Sequence, residues 1–125
     1  MRYAVLLIAF MLFFQTARPA FAKETRIRFK RGAIVASAQG RLSKVGDEVY
    51  FVLKAKAGQH MRVTIKGQGA TRGVVIFPSG KQDGQPGGLI FDDDLDETGD
   101  YRIRVTESQM AESWKGSFTV TVEIK

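Results

Sequence analysis

The sequence contains no cysteine, a single histidine and only three prolines among its 125 residues. Without cysteine the chain forms neither a disulfide framework nor a thiolate metal site, so its stability must come from a packed core. The histidine, His60, begins a predicted strand after a turn, where a solvent-facing or partly packed position is expected. No serine-centred nucleophile elbow occurs. These absences predict a protein that is not an enzyme and that needs no cofactor.

Long hydrophobic runs are also scarce. The clearest is an 11-residue run at 4–14, which follows a basic start and precedes a small-x-small site at 20–22. This pattern is typical of a secretory signal peptide cleaved before Lys23, whereas a membrane span needs roughly 20 apolar residues. We therefore expect a signal peptide at 1–22 and a single domain at 23–125. The mature domain is expected to be a monomer or homodimer without stable membrane insertion.

The charge of the expected mature chain is unevenly distributed. Without Arg2 and Arg18, 17 basic residues stand against 13 acidic ones, a net charge of +4. Residues 23–82 hold 13 basic and 3 acidic side chains, whereas residues 83–125 hold 4 basic and 10 acidic ones. Nucleic acid is not an expected partner of an exported protein. The asymmetry indicates charged protein, glycan or membrane surfaces as partners, or complementarity within the fold.

Apolar and polar residues alternate in several short runs, as they do in half-buried strands. No helical periodicity is sustained over 11 residues after residue 22. The fold class predicted is all-β, an antiparallel β-sandwich of about seven to eight strands. The runs are TRIRFK (25–30), EVYFVLKAK (48–56), HMRVTIK (60–66), GVVIFP (73–78), LIFD (89–92), YRIRVTE (101–107) and FTVTVEIK (118–125).

The connections carry their own signals. Ala57-Gly58-Gln59 separates two of the runs and predicts a β-hairpin, because a glycine in so short a connection favours a tight turn. Residues 79–88 contain four glycines and a proline, which predicts a long loop. Only the connection SQMAESWKG (108–116) could support a turn of helix. Its Trp114 either covers one end of the core, the favoured interpretation, or is an exposed anchor for a partner.

The stretch FDDDLDETGD (91–100) places six acidic residues within ten positions. A calcium loop that started at Asp94 would match the helix-loop-helix pattern at Asp96, Thr98 and Gly99. It fails at its twelfth position, Val105, where a bidentate glutamate is required. The sequence thus predicts no standard metal site. A looser calcium site that uses Asp92, Asp94 and Asp96 stays open as an alternative.

The residues after this stretch predict a structural role for Tyr101. Tyr101, Ile103 and Val105 share one face of a strand, so the tyrosine points inward. An inward tyrosine that begins a sandwich strand after a glycine is typical of the tyrosine corner, where the hydroxyl binds nearby backbone.

The order of these features resembles the periplasmic inhibitors of g-type lysozyme over essentially the whole mature chain. The segments that carry the resemblance are RIRFKRGAIVASAQGRL, VYFVLKAKAGQHMRVTI, TGDYRIRV and FTVTVEIK. They include Arg31-Gly32, the strand end at 55–59, and a Ser-Gly-x-Tyr motif in which Thr98 replaces the serine. Secreted β-sandwich domains at the ends of bacterial peptidases share part of this pattern.

The resemblance implies a periplasmic protein that blocks the substrate cleft of a g-type lysozyme with a loop. Carried over to this sequence, the motif nominates Thr98, Gly99 and Tyr101 as partner-binding residues, with Asp100 at the variable position. We add Asp94 and Asp96, because an acidic loop attracts a cationic lysozyme. Two alternatives stay open: an exported β-sandwich module that binds an envelope glycan or protein, perhaps assisted by calcium, and a purely structural envelope protein.

Overall fold

The computed structural model describes residues 24–108 and 114–125, so the expected signal peptide at 1–22 and most of the expected helical turn lie outside the described residues. In this part of the chain no helix is long and apolar enough to cross a bilayer. The described residues form nine strands. They are β1 (Glu24–Arg26), β2 (Val35–Leu42), β3 (Val49–Ala55), β4 (His60–Gly67), β5 (Thr71–Ile76), β6 (Gln82–Pro86), β7 (Leu89–Asp94), β8 (Gly99–Glu107) and β9 (Gly116–Ile124).

The strands are arranged in two sheets, which confirms the predicted all-β sandwich. One sheet has five strands in the order β1-β3-β8-β5-β6, and the other has four in the order β2-β9-β4-β7. The short β1 lies parallel to β3, and every other described pair is antiparallel. The number of strands exceeds the prediction, because two segments that were not predicted as strands, Val35–Leu42 and Gln82–Pro86, form β2 and β6.

The core lies between the sheets and is built from the apolar residues that alternate along the central strands. In β8, Tyr101, Ile103 and Val105 are fully buried at 0% exposure, whereas Arg102 is exposed. Phe51 from one sheet meets Phe118 from the other edge-to-face, with ring centroids 6.0 Å apart. Burial of a side chain of this size contributes about 1.5–3 kcal/mol, so the period-two pattern supplies the fold with its main stabilisation.

Two predicted connections are wrong. β3 and β4 do not form a hairpin, since β3 pairs with β8 and β4 pairs with β7 and β9, in the opposite sheet. The turn at 56–59 therefore carries the chain from one sheet to the other. The segment at 79–88 is not one long loop, because β6 pairs along β5. Gly84 faces Val74 across this pair, and a Cβ there would lie 2.6 Å from the valine side chain.

Three connections meet at the same end of the sandwich. They are residues 56–59 between β3 and β4, 77–81 between β5 and β6, and 95–98 between β7 and β8. The strand registers require this meeting, because Ala55 at the end of β3 pairs with Gly99 at the start of β8. Likewise His60, at the start of β4, pairs with Asp94 at the end of β7. We call these three connections the loop end.

Candidate functional site

The loop end is held together by its backbone. Leu95 is buried, its N–H donates to the carbonyl of Gln59 at 2.7 Å, and its carbonyl accepts from the N–H of Gly58 at 2.8 Å. The acidic connection at 95–98 is thereby fixed to the turn at 56–59. Backbone pairs of this kind order a loop before any partner arrives, which reduces the entropy lost on binding.

Side chains add three further contacts across the loop end. The hydroxyl of Thr98 accepts from the N–H of Ala57 at 2.9 Å, which leaves its own proton free to donate. The carboxylate of Glu97 accepts from both the N–H and the hydroxyl of Ser79, each at 2.8 Å. Asp96 approaches Lys81 at 3.7 Å while its side chain stays 69% exposed. The acidic connection is therefore braced against both neighbouring connections.

Tyr101 lies beneath this surface, and the predicted tyrosine corner is confirmed. Its side chain is fully buried, and its hydroxyl donates to the carbonyl of Glu97 at 2.7 Å. The ring packs against Phe77 with centroids 5.2 Å apart. Burial raises the pKa of the Tyr101 phenol. The tyrosine therefore positions the connection above it from within the core.

The backbone conformation at position 99 requires a glycine. Its φ is +148°, and a Cβ at this position would lie 3.1 Å from the ring of Pro78. Residues with a side chain rarely adopt such a φ. Glycine thus lets β8 begin directly under the connection at 77–81 and brings Thr98 to the surface.

Asp100 lies on the outer face of the five-stranded sheet. Its carboxylate accepts two hydrogen bonds from the guanidinium of Arg26, at 3.1 and 3.4 Å, and its side chain is 38% exposed. The hydrogen bonding to Arg26 lowers the pKa of Asp100, and the charges of Arg26, Lys54 and Arg102 act in the same direction. Asp100 is therefore ionised at neutral pH and is held in one orientation.

Two aspartates at the end of β7 contact the ring of His60. The ring Nδ1 lies 2.6 Å from an oxygen of Asp94, and Nε2 lies 2.6 Å from an oxygen of Asp92. Hydrogen bonds to Asp92 and then to Asp94 raise the pKa of His60, because both stabilise the imidazolium. Asp94 nevertheless remains 81% exposed. When it is protonated, the histidine offsets part of the negative charge of this strand end.

The structure does not support the looser calcium site. Within residues 24–108 and 114–125, no three acidic or histidine side chains converge as a metal site requires. Asp92 and Asp94 contact His60, and Asp96 faces Lys81. The sequence placed these acids close together along the chain, but their carboxylates are directed to cationic neighbours.

Trp114 matches the interpretation as a cover over one end of the core. It is half-buried, packs against the core, and donates its indole N–H to the carbonyl of Ala70 at 2.6 Å. Gly69 lies directly against the ring, since a Cβ there would come within 2.6 Å of it. Trp114 is therefore a packing residue distant in the fold from the loop end.

The nominated residues thus divide by exposure. Asp94, Asp96 and Thr98 are exposed, Gly99 and Asp100 are half-buried, and Tyr101 is buried. Residue patterns did not reveal four further participants: Arg26, His60, Ser79 and Glu97. Their partners lie 18 to 74 positions away along the chain, so no local signal could have assigned them.

Comparison with known proteins bears on the fold. No family model and no curated protein sequence matches the chain. Among solved structures, the periplasmic inhibitor of g-type lysozyme from Aeromonas hydrophila superposes with a TM-score of 0.71 at 23% identity, covering 83% of this chain and 97% of that one. The inhibitor from Salmonella Typhimurium gives 0.68 at 20% identity, covering 84% and 100%.

A different kind of protein also shares the architecture. The pre-peptidase C-terminal domain of a collagenase from Bacillus anthracis has a TM-score of 0.57 at 15% identity, covering 86% of this chain and 100% of that domain. These neighbours match the resemblance drawn from the sequence. The protein has the β-sandwich fold that the periplasmic lysozyme inhibitors share with the pre-peptidase C-terminal domain.

Proposed function

We propose that the protein is a periplasmic inhibitor of g-type lysozyme that blocks the substrate cleft with its loop end. The proposal includes export through the signal peptide at 1–22 and a single mature domain at 23–125. The observation that carries it is the braced connection at 95–98, which presents Thr98 and exposed carboxylates on a buried tyrosine anchor. The fold neighbours described as inhibitors of this lysozyme type support it.

The residues of the motif have separate roles in this proposal. Tyr101 and Gly99 fix the connection from below, and Thr98 and Asp100 supply a hydroxyl and an ionised carboxylate for hydrogen bonds to the lysozyme. Asp94 and Asp96 accelerate encounter with a cationic enzyme, because surface charges act mainly on the association rate. Inhibition needs no catalytic group, since occupying the cleft excludes the substrate.

The direct test is inhibition of purified g-, c- and i-type lysozymes by the mature protein. We expect the g-type enzyme to be inhibited at micromolar or lower concentration and the other two to be affected far less. Absence of inhibition of any type at micromolar protein contradicts the proposal.

A charge variant tests the role of the acidic connection. Asp94→Asn with Asp96→Asn is expected to slow association with the lysozyme about tenfold at low salt, and less at high salt because ions screen exposed charges. The control is Glu24→Gln with Glu48→Gln, which removes the same charge beside the opposite end of β3. An unchanged salt dependence in the first variant would place Asp94 and Asp96 outside the interface.

The second candidate is an exported sandwich module that binds an envelope glycan or protein. The likeness to the pre-peptidase C-terminal domain favours it, because the same fold serves there in a protein described as a collagenase. Saturable binding to an envelope glycan, without inhibition of any lysozyme, would favour this module over the inhibitor.

A further inference from the structure

A pocket of about 490 Å³ lies on the outer face of the five-stranded sheet, beside the loop end. Its volume falls within the roughly 300–1,000 Å³ that is usual for small-molecule sites. It lies where the chain continues from β1 beside the end of β3. The lining residues are Arg26, Ile27, Arg28, Phe29, Lys54 and Asp100.

The pocket carries an excess of positive charge. Arg26 is bound to Asp100, and Lys54 lies directly opposite Asp100 in the register of β3 and β8. In the described part of the chain, neither Arg28 nor Lys54 forms an ion pair or a side-chain hydrogen bond. A concave surface lined by charge of one sign concentrates its electric field and attracts ions of the opposite sign.

The same pocket has an apolar side. Ile27 is 6% exposed and belongs to the core, and Phe29 is half-buried and packs against it. The N–H of Ile27 donates to the carbonyl of Val52 at 2.8 Å, which ties this wall to β3. A ligand with a ring next to its anionic group would therefore find an apolar surface and two unpaired cations in one place.

We propose that this pocket binds a small anionic sugar, with its carboxylate or phosphate at Arg28 and Lys54 and its ring against Phe29. Arginine and lysine form strong charge-assisted hydrogen bonds with both anions. Asp100 limits the affinity, because it occupies Arg26 and repels the ligand. The inference goes beyond the proposed inhibition of lysozyme and does not depend on it, since a small ligand can bind the protein alone.

The test is a titration of the mature protein with four probes. Binding is measured by calorimetry and by the shifts of the backbone amide NMR signals of Ile27 and Phe29. The probes are glucuronate, glucose 6-phosphate, inorganic phosphate and glucose. We expect saturable binding of the two anionic sugars, on the order of millimolar Kd, weaker binding of phosphate, and none of glucose. Comparison of glucuronate with glucose 6-phosphate identifies which anion the pocket prefers.

Matched variants locate the site. Arg28→Ala with Lys54→Ala is expected to weaken binding at least about tenfold, since it removes both unpaired cations. Lys30→Ala with Lys44→Ala removes the same charge outside the pocket and is expected to leave the Kd unchanged. Asp100→Asn, which releases Arg26, is expected to tighten binding a few fold. The four lysine and arginine side chains are exposed, and thermal melting checks that the variants fold.

Three results would overturn the inference. The first is no saturable binding of either anionic sugar. The second is equal loss of affinity in the two double variants, which would indicate non-specific attraction to a basic surface. The third is capture of a glutamate-rich peptide without binding of the sugars, which would make the pocket a protein contact.

Discussion

The segment from Phe91 to Val105 contains two regions that differ in what holds them. From Gly99 onward the chain is fixed by the core: Tyr101 is fully buried and its hydroxyl binds the carbonyl of Glu97. From Asp92 to Asp96 the side chains are mostly exposed, and their carboxylates contact His60 of β4 and Lys81 of the connection at 77–81. One short segment thus combines a support that is fixed in the core with an exposed acidic surface.

Tyr101→Ala should produce the largest effect. It removes a buried aromatic ring and a hydroxyl, and the expected loss of unfolding free energy is about 3–5 kcal/mol. Tyr101→Phe should cost about 1 kcal/mol, since only the hydrogen bond to Glu97 is lost. Urea denaturation measures both, and Tyr50→Phe, whose half-exposed hydroxyl contacts Glu48, is the matched control. Equal effects of Tyr50→Phe and Tyr101→Phe would show that burial gives the hydrogen bond of Tyr101 no special weight.

Gly99→Ala should have the next largest effect on stability, because Gly99 lies where the exposed region ends and the buried region begins. A side chain at a φ of +148° and 3.1 Å from Pro78 is strained, and the expected cost is about 1–3 kcal/mol. Gly88→Ala is the control, since a Cβ there meets only one backbone oxygen, at 3.7 Å. A thermal melt that shows the same stability for both variants would contradict the role assigned to Gly99.

The pH dependence of stability around the histidine titration should report on the acidic region. The pKa of His60 is raised in the folded protein by Asp92 and Asp94. Its contribution to stability is therefore complete below the ordinary histidine value of 6.5 and is lost as pH rises through the raised value. Because His60 is the sole histidine of the chain, its NMR titration is unambiguous.

His60→Gln supplies the control for this titration. The variant should abolish the fall in stability above the folded pKa, while Tyr101→Phe should leave it intact. A titration of His60 at or below 6.5 would show that the two aspartates do not hold the imidazolium.

Asp100→Asn should have the smallest effect on stability, because the pair with Arg26 is partly exposed and water screens it. The pKa of Asp100 is lowered from 3.8, so its contribution is present above that value and is lost as pH falls through the folded one. Denaturation at pH 7 and at a series of lower pH values should show a small difference between wild type and variant that shrinks as pH falls below 3.8. A difference that does not shrink along the series would assign the effect to packing.

The sequence predicted much of the fold and only part of the site. Alternation located the central strands, and a glycine before an inward tyrosine predicted the corner at Tyr101, because these features depend on local geometry and on burial of one face. The β3–β4 hairpin was predicted wrongly, since a turn sequence does not record which sheet the next strand joins. β6 was missed because its glycines and proline resemble a loop, although pairing with β5 makes it an edge strand.

The site shows the same limit. Asp94, Asp96, Thr98 and Asp100 were nominated from neighbouring positions, yet the groups that orient them come from other strands and connections. Arg26 reaches Asp100 across 74 positions, and His60 reaches Asp94 across 34. The nomination of these residues, and of Gly99 and Tyr101, as partner-binding stays a prediction until a complex with a lysozyme is tested.

The sequence by itself determined which residues are buried, because alternation of apolar and polar side chains places one face of each strand in the core. It also determined the charge asymmetry and the tyrosine anchor. The tertiary structure alone decided which strands pair, which cations meet the acidic connection, and that Arg28 and Lys54 share a pocket with Ile27 and Phe29. The physical reason is that burial is recorded locally, whereas strand pairing and charge contacts depend on the register between segments distant in the chain.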